Sequence, residues 1–533
     1  MRTPAGRGRG RRLATLATIL FLTFLDNTIV SVILADMQTT LHPGVSGLQW
    51  IVNGYMLAFA ALMLTGGTLG DLLGRKKVML SGVAVFCAGS VAAALAPTTS
   101  VLIGSRVVMG IGAAASEPGT LSMIRHIYPE RGPRARALGV WAAVSGVALA
   151  LGPIVGGVLV GYSGWRSVFW FNLGFGAAAL AAGVLLLPEN ADPEGRRLDV
   201  PGLIVGAVTI SAIAIAVIEG ENAGYLSWWI DLLFAVAALG VVAFIRIERR
   251  SPDPVLKLHF FQTSAFSGAN VVAFATNFGV FAVFFFTALY LQLVADFSGY
   301  RIALQFVTMA AAMVAAAPLA GRWVAARGPR APMSLGCLMA GGGLFVVNAL
   351  LQPSVSLVSL TWALAVVGFG FGMALVTMNA TVLSVVPPQR SGMAASTVNT
   401  SRELGGVFGV AILGAIMSAT ITSHMAQRLR ELGIPPSFRE IVIQGITHGA
   451  VPTSASGAPG APAGTGALVE KVIQAAQTAF TNGLGQVLIL AGSILVAAGV
   501  AAAFMARRPQ PPRTPTSSPS SPSGAASGSR AGR

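Results

Sequence analysis

The chain has 533 residues and a net charge of +16, yet only 10% of its residues are charged and 54% are hydrophobic. Soluble domains carry about 25% charged residues, so a soluble multidomain protein is excluded. The two cysteines, Cys87 and Cys337, lie inside apolar stretches, which argues against a disulfide framework or a thiolate metal site.

A basic N-terminus, residues 1–12, precedes a first apolar span near 13–35. This span is too long for a cleavable signal peptide and holds Asp26 where a signal core is purely apolar, so it is expected to persist as helix one. Spans near 48–70, 78–96, 100–124, 137–162 and 166–187 complete a six-helix bundle over 13–187. Two more, near 202–219 and 228–248, form an inserted pair within 188–265. The last six, near 266–292, 304–324, 331–350, 356–384, 391–421 and 484–506, build a second six-helix bundle over 266–506. Each is near the roughly 20 residues that cross a bilayer, and the predicted class is an all-α polytopic membrane protein of about 14 helices. The outer loop 422–483 holds a Pro/Gly/Ser/Ala-rich stretch from Val451 to Gly466 and is expected to be largely disordered, as is the Pro/Ser-rich tail 507–533.

If the first end is cytoplasmic, that side receives Arg2 to Arg12, Arg75, Lys76, Lys77, Arg125, Arg131, Arg134, Arg136, Arg196 and Arg197. The later loops on this side add Arg246, Arg249, Arg250, Lys257, Arg322, Arg327, Arg330, Arg390, Arg507 and Arg508, while the short outer loops hold little beyond Arg166 and Arg301. This positive-inside bias predicts a multi-pass protein of the cytoplasmic (inner) membrane with both termini in the cytoplasm. It also accounts for the net charge without nucleic acid. Membrane lipid is the expected partner, and a monomer is the expected state.

The chain repeats itself. Leu69-Gly70-Asp71-Leu72-Leu73-Gly74-Arg75-Lys76 after helix two is echoed by Leu319-Ala320-Gly321-Arg322 through Arg327-Gly328-Pro329-Arg330 after helix ten. Gly110-Ile111-Gly112 with Pro129 to Gly132 is echoed by Gly370-Phe371-Gly372 with Pro388 to Gly392. Both echoes are offset by eight helices, giving a six-plus-two-plus-six arrangement. Parallel half-repeats place a substrate site near the midplane between the halves.

Further motifs lie in helix one, Leu25-Asp26-Asn27-Thr28-Ile29-Val30, and helix two, Leu48-Gln49-Trp50-Ile51-Val52 then Tyr55 and Leu57. Helix four has Arg106 before Gly110-Ile111-Gly112; helix five has Gly146 and Gly152-Pro153-Ile154-Val155-Gly156-Gly157; helix thirteen has Asn399-Thr400-Ser401-Arg402 and Gly405-Gly406. In this order they resemble the major facilitator superfamily, in its fourteen-helix drug:proton antiporter branch typified by the EmrB/QacA group. The resemblance implies export of drugs, antibiotics or other small amphipathic compounds in exchange for protons by alternating access, with the proton gradient in place of any cofactor. It also implies that the inner loop acts as a latch and that the helix-five pattern belongs to antiport. Ser31, Ala35, Leu72 and Glu117 depart from the family pattern, which bears on the substrate spectrum.

The residues give physical grounds for these roles. In the inner loop, the short side chains of Gly70 and Gly74 are expected to let helices two and three approach closely, Asp71 to accept hydrogen bonds from a neighbouring helix terminus, and Arg75 and Lys76 to sit at headgroup level; Gly67 is counted with them in the latch. A plain topology-setting turn is the alternative. In helix five, Gly152-Pro153 removes a backbone donor and Gly156-Gly157 removes bulk, predicting a bend and a close-packed face that gates a cavity, or ordinary packing.

An ionised side chain at a helix centre costs about 2.5–3.5 kcal/mol, so Asp26, Arg106 and Glu117 are candidate proton-coupling residues. Helix directions place Asp26 and Arg106 at similar depth, where they can pair, either as a coupling device or as a static bundle tie. Glu117 lies roughly 16 Å further toward the cytoplasm. It is a candidate proton or cation site, or an acid in contact with water at the inner mouth. Asn53, Tyr55, Asn399, Arg402 and Glu403 are candidate cavity residues, with adjacent Arg402 and Glu403 expected on different sides of helix thirteen. Glu219, Glu221 and Asp231 read as loop charges, and Phe274, Phe278, Phe281 and Tyr290 as lipid or packing contacts.

An ATP-driven pump is excluded because none of Lys76, Lys77, Lys257 and Lys471 sits in a phosphate-cradling loop. An enzyme is disfavoured: there is no G-x-S-x-G or H-E-x-x-H, and the five histidines lie at or beyond helix ends. A narrow-substrate metabolite exporter or a substrate:proton symporter of the same fold remains the alternative.

Overall fold

The computed structural model describes residues 4–41, 45–189, 199–254, 256–295, 297, 299–351, 357–387, 390–434, 439 and 465–505. Expectations for Arg2, Arg196, Arg197, Pro388, Gln389, the tail after Arg508 and most of the long loop fall outside these residues, as do those for the side chains of Ser31, Ala35, Arg131, Pro153, Glu221 and Arg301.

The first bundle comprises α1 (Pro4–Leu41), α2 (Val45–Leu73), α3 (Arg75–Ala94), α4 (Thr99–Ile127), α5 (Arg131–Ser163) and α6 (Arg166–Leu186). The inserted pair is α7 (Val200–Ala223) and α8 (Trp228–Arg250). The second bundle opens with α9 (Ser264–Phe281), which continues through a π turn, Ala282–Thr287, into a short segment, Ala288–Leu293. It is completed by α10 (Gly299–Arg327), α11 (Arg330–Ala349), α12 (Leu357–Val385), α13 (Ser391–Glu431) and α14 (Thr465–Met505). Among the described residues, 13 helices are long and apolar enough to cross a membrane, and α5 makes a fourteenth as two segments bent by 42°.

Three helices run well past their apolar spans. α1 begins at Pro4, α13 ends at Glu431 and α14 begins at Thr465, so the outer loop predicted over 422–483 is shorter by these helical ends. Hydropathy detects the membrane-crossing part of a helix, whereas backbone hydrogen bonding carries the helix on into polar sequence.

The internal repeat is visible in how glycines seat each bundle. A Cβ on Gly110 would strike the Tyr55 carbonyl of α2, and one on Gly112 would come within 2.6 Å of the Gly82 carbonyl of α3. In the second bundle Gly368 abuts the Met309 carbonyl of α10, and a Cβ on Gly370 would lie 2.6 Å from the Gly336 carbonyl of α11. Small residues allow such backbone approach. The contacts pair Gly110 and Gly112 with Gly368 and Gly370, two residues away from the register of the sequence echo. Alternating glycines from Gly368 to Gly372 fit either alignment by sequence, and only the packing distinguishes them.

Two seams join the bundles. α5 meets α10, where Gly139 faces the Ala317 carbonyl, Gly321 the Ala135 carbonyl and Gly146 the Met313 side chain. α2 meets α13, where a Cβ on Gly67 would stand 2.5 Å from Ser396 Cβ and 2.7 Å from the Gly392 carbonyl. Gly67 therefore admits α13 of the other bundle. α7 covers the second seam, packing Ala214 and Val217 against Val407 and Ala411 of α13 with Leu57 of α2. α8 packs against α7 and exposes Leu232, Val236 and Leu239.

Candidate functional site

Inside the first bundle, α1 and α4 run in opposite directions and bring Asp26 and Arg106 to one depth. Arg106 Nη1 donates to Asp26 Oδ2 at 2.5 Å, and both side chains are buried. Asn172 of α6 donates from Nδ2 to Asp26 Oδ1 at 2.7 Å. The guanidinium also donates from Nε to the Ile51 carbonyl at 3.1 Å and lies 4.4 Å from the Tyr55 ring centroid. Both oxygens of the carboxylate are thus satisfied, as a buried charge requires.

A second charged group spans the two bundles. Arg402 of α13 donates from Nη2 to Glu117 Oε1 of α4 at 2.6 Å and to Glu403 Oε1 at 2.9 Å, and from Nη1 to Asn399 Oδ1 at 3.4 Å. Its guanidinium lies 4.8 Å from the Phe24 ring centroid on α1. Glu117 is fully buried and its Oε2 has no hydrogen-bond partner, as is also true of Asn399 Nδ2 and Thr400 Oγ1. Two carboxylates share one guanidinium. One turn beyond Glu117, Thr120 Oγ1 accepts the indole N–H of Trp141 at 3.0 Å, and Trp141 stands edge-on to Phe24.

One alternative falls here and one expectation changes. Glu117 is sealed in the protein rather than bathed in water at a mouth. Arg402 and Glu403 do not act on separate sides: the guanidinium is long enough to fold back onto its neighbour, giving one cluster.

Where α2 turns into α3, Asp71 Oδ1 accepts from the Gly392 backbone N–H at 3.1 Å and Oδ2 from that of Met393 at 3.0 Å. These are N–H groups in the first turn of α13, where a helix has no internal acceptors and its dipole favours a negative charge. Arg75 donates to Asp71 Oδ1 from Nε at 3.0 Å and Nη2 at 2.8 Å. It is buried in this contact, at the first residue of the α3 span. Lys76 instead reaches the Val184 carbonyl of α6 at 2.8 Å. Gly74 makes the turn with φ 110°, a conformation that favours glycine. Nearby, Arg9 pairs with Glu130 at 3.4 Å, and the Tyr128 hydroxyl donates to the Arg9 carbonyl at 3.0 Å. The Glu130 carboxyl is held below its usual value, mainly by its own backbone N–H and also by Arg9, while burial raises the Tyr128 phenol.

The bend in α5 has an identifiable cause. Pro153 has no N–H for the Leu149 carbonyl four residues earlier, and Thr28 Oγ1 of α1 donates to that carbonyl at 3.0 Å. Gly152 and Gly156 let α1 approach at Thr28 and Ile29. Gly146 serves the α10 seam, while Gly157 faces open space and takes no part in the close-packed face.

Of the remaining candidates, Tyr55 is buried and stacked on Phe59, and Asn53 is half-buried. Phe278 and Tyr290 are buried in the core, and Phe274 packs on Phe278 and Phe408, so packing describes these aromatics. Sequence reasoning missed Asn172 and Thr28. A lone amide in the apolar run of α6 was the available signal for Asn172; the missing Pro153 donor was the signal for Thr28. Among the described residues no group of three His, Cys, Asp or Glu side chains is arranged to hold a metal.

A family model described as Major Facilitator Superfamily matches residues 16–410. The chain is 33% identical over 433 residues to the multidrug resistance protein Stp of Mycobacterium tuberculosis, covering 81% of this chain and 80% of that one. It is 29% identical over 520 residues to the tetracenomycin C resistance and export protein of Streptomyces glaucescens, covering 96% and 94%. The crystal structure of the human organic anion transporter TETRAN superposes with a TM-score of 0.59 at 14% identity, covering 93% of this chain and 100% of that one, which shows the shared fold. With its two six-helix bundles, inserted pair and family match over most of its length, the chain belongs to the Major Facilitator Superfamily and is a membrane transporter rather than an enzyme.

Proposed function

We propose that this transporter exports drugs, antibiotics or similar small amphipathic compounds across the cytoplasmic membrane in exchange for protons, with both termini in the cytoplasm. The observation that carries the reading is the ion pair between Glu117 and Arg402, a buried contact between the two bundles with one carboxylate oxygen unpartnered. If the bundles rock apart at this level, Arg402 keeps Glu403 on its own helix and Glu117 loses its partner. An unpaired carboxylate in apolar surroundings then takes a proton or a cationic group in place of the guanidinium. Asp26 and Arg106, both in the first bundle, supply a second carboxylate whose partner is not withdrawn by the same movement.

The names of the curated relatives, a multidrug resistance protein and an antibiotic export protein, support export as the direction. The seams support alternating access: Asp71 and Gly67 on the α2–α13 seam, and the Gly321–Ala135 contact on the α5–α10 seam, hold the bundles together at the basic end, the end the positive-inside bias assigns to the cytoplasm.

The test is proton movement in energised inside-out vesicles, followed by a pH-sensitive dye as candidate drugs are added. Drug-triggered proton release is expected from the wild type. It should fall by roughly tenfold or more in Asp26→Asn and Glu117→Gln, the equivalent of about 1.4 kcal/mol or more of coupling. No release from folded wild-type protein across a broad panel would replace multidrug export by a narrow-substrate exporter. Proton uptake in the direction of the drug would indicate a symporter.

A further inference from the structure

The inserted pair carries a cluster of charges at its basic end that takes no part in the site between the bundles. A cavity of about 350 Å³ is lined there by Asp199, Pro201, Arg246, Ile247, Arg250 and Ser251. Asp199 caps α7, its Oδ1 accepting from the Gly202 backbone N–H at 2.9 Å. Its other oxygen, Oδ2, is buried and has no hydrogen-bond partner, although the residue as a whole is only 9% exposed.

Glu248 repeats the situation. Its Oε2 accepts from the Leu256 backbone N–H at 3.0 Å, and its buried Oε1 is unpartnered. Asp199 Oδ2 and Glu248 Oε1 each lie 3.0 Å from the point where a Cβ of Gly202 would stand, so both carboxylates crowd that glycine. The cavity therefore offers the Asp199 carboxylate at the start of α7, with Glu248 of α8 behind the lining, and two exposed arginines, Arg246 and Arg250, on α8.

We infer that this cavity binds the headgroup of an aminophospholipid, a phosphatidylethanolamine, from the leaflet at the basic end. Its primary ammonium has three N–H donors and meets Asp199 Oδ2, with Glu248 adding negative charge behind it. Its phosphate diester meets Arg246 and Arg250, whose planar guanidinium groups suit phosphate oxygens. The cavity lies where the spans of α7 and α8 end, the depth of lipid headgroups.

The lipid, rather than free phosphate, is favoured by what lies along the helix. Leu232, Val236, Leu239, Arg246 and Arg250 follow one another at helical spacing and share one face of α8, and Leu232, Val236 and Leu239 are exposed. An acyl chain lying along that apolar stripe leads directly to the two arginines.

The full-length protein, purified in detergent, is titrated with phosphatidylethanolamine, phosphatidylcholine, phosphatidylglycerol or inorganic phosphate. Thermal unfolding and native mass spectrometry are the readouts. Phosphatidylethanolamine should bind roughly tenfold more tightly than phosphatidylcholine, whose quaternary ammonium has no N–H donor. Asp199→Asn retains a good helix cap and should erase that preference while leaving phosphatidylglycerol binding in place. Arg246→Ala with Arg250→Ala should weaken all three lipids.

Equal binding of phosphatidylethanolamine and phosphatidylcholine to the wild type would overturn the inference, as would a preference that survives in both variants. Full stabilisation by inorganic phosphate alone would overturn it in favour of a free anion site. None of these readouts depends on transport.

Discussion

Asn172 illustrates how much one neutral side chain can govern a buried charge. Its Nδ2 supplies a hydrogen bond that the Asp26 carboxylate otherwise lacks, and hydrogen bonds to charged groups contribute about 1.5–3 kcal/mol. Asn172→Leu is therefore expected to lower the thermal stability of the purified protein, and to do so much less in an Asp26→Asn background, where the acceptor is already uncharged. Equal losses in both backgrounds would mean that Asn172 acts through packing alone. The pairing of Asp26 with Arg106 was readable in the sequence, because helix direction and rise fix depth. The amide was not, because an asparagine in an apolar run carries no indication of which helix it will face. Arg402 and Glu403 show the reverse limit: their adjacency was plain, but the reach of a long side chain back to its neighbour depends on the space around it.

At the level of elements, α5 is bent by its own proline and held by another helix. With Thr28→Val the Leu149 carbonyl loses its donor, a buried unsatisfied group costing about 1–3 kcal/mol. Pro153→Ala restores a backbone N–H for the same carbonyl. The double variant is thus expected to be more stable than Thr28→Val alone, yet to transport poorly if the bend matters for gating. Thermal midpoints and vesicle assays on the three variants decide this; simple additivity of the two substitutions would remove Thr28 from the account of the bend. The bend itself could be anticipated from Gly152-Pro153, and the fourteen spans from hydropathy. Helix ends were harder. α14 starts at Thr465 because helical hydrogen bonding does not stop where the apolar window does. The partner of Gly67 was also beyond reach, since small residues announce a close approach without naming the approaching helix.

For the whole molecule, the two bundles meet through backbone-tight seams and through Asp71 on the first turn of α13. A single cysteine at Ser396, introduced after Cys87 and Cys337 are replaced, should react slowly with a water-soluble maleimide because Gly67 covers it. Asp71→Asn keeps one acceptor oxygen but loses the charge that the α13 terminus favours, and labelling is expected to rise severalfold, the scale of a 0.3–1 kcal/mol helix-end interaction together with the lost Arg75 pair. Unchanged labelling would show that the glycine seam holds the bundles together without the latch. The contact between Trp141 and Thr120 gives this motion a native optical signal. Its indole N–H is tied to α4 one turn from Glu117, and its ring touches Phe24, which itself lies under Arg402. If Arg402 leaves Glu117 as proposed, the electric field at that indole changes, so the tryptophan emission of the unlabelled protein should shift in colour as it turns over, and a Trp141→Phe variant should be blind to it.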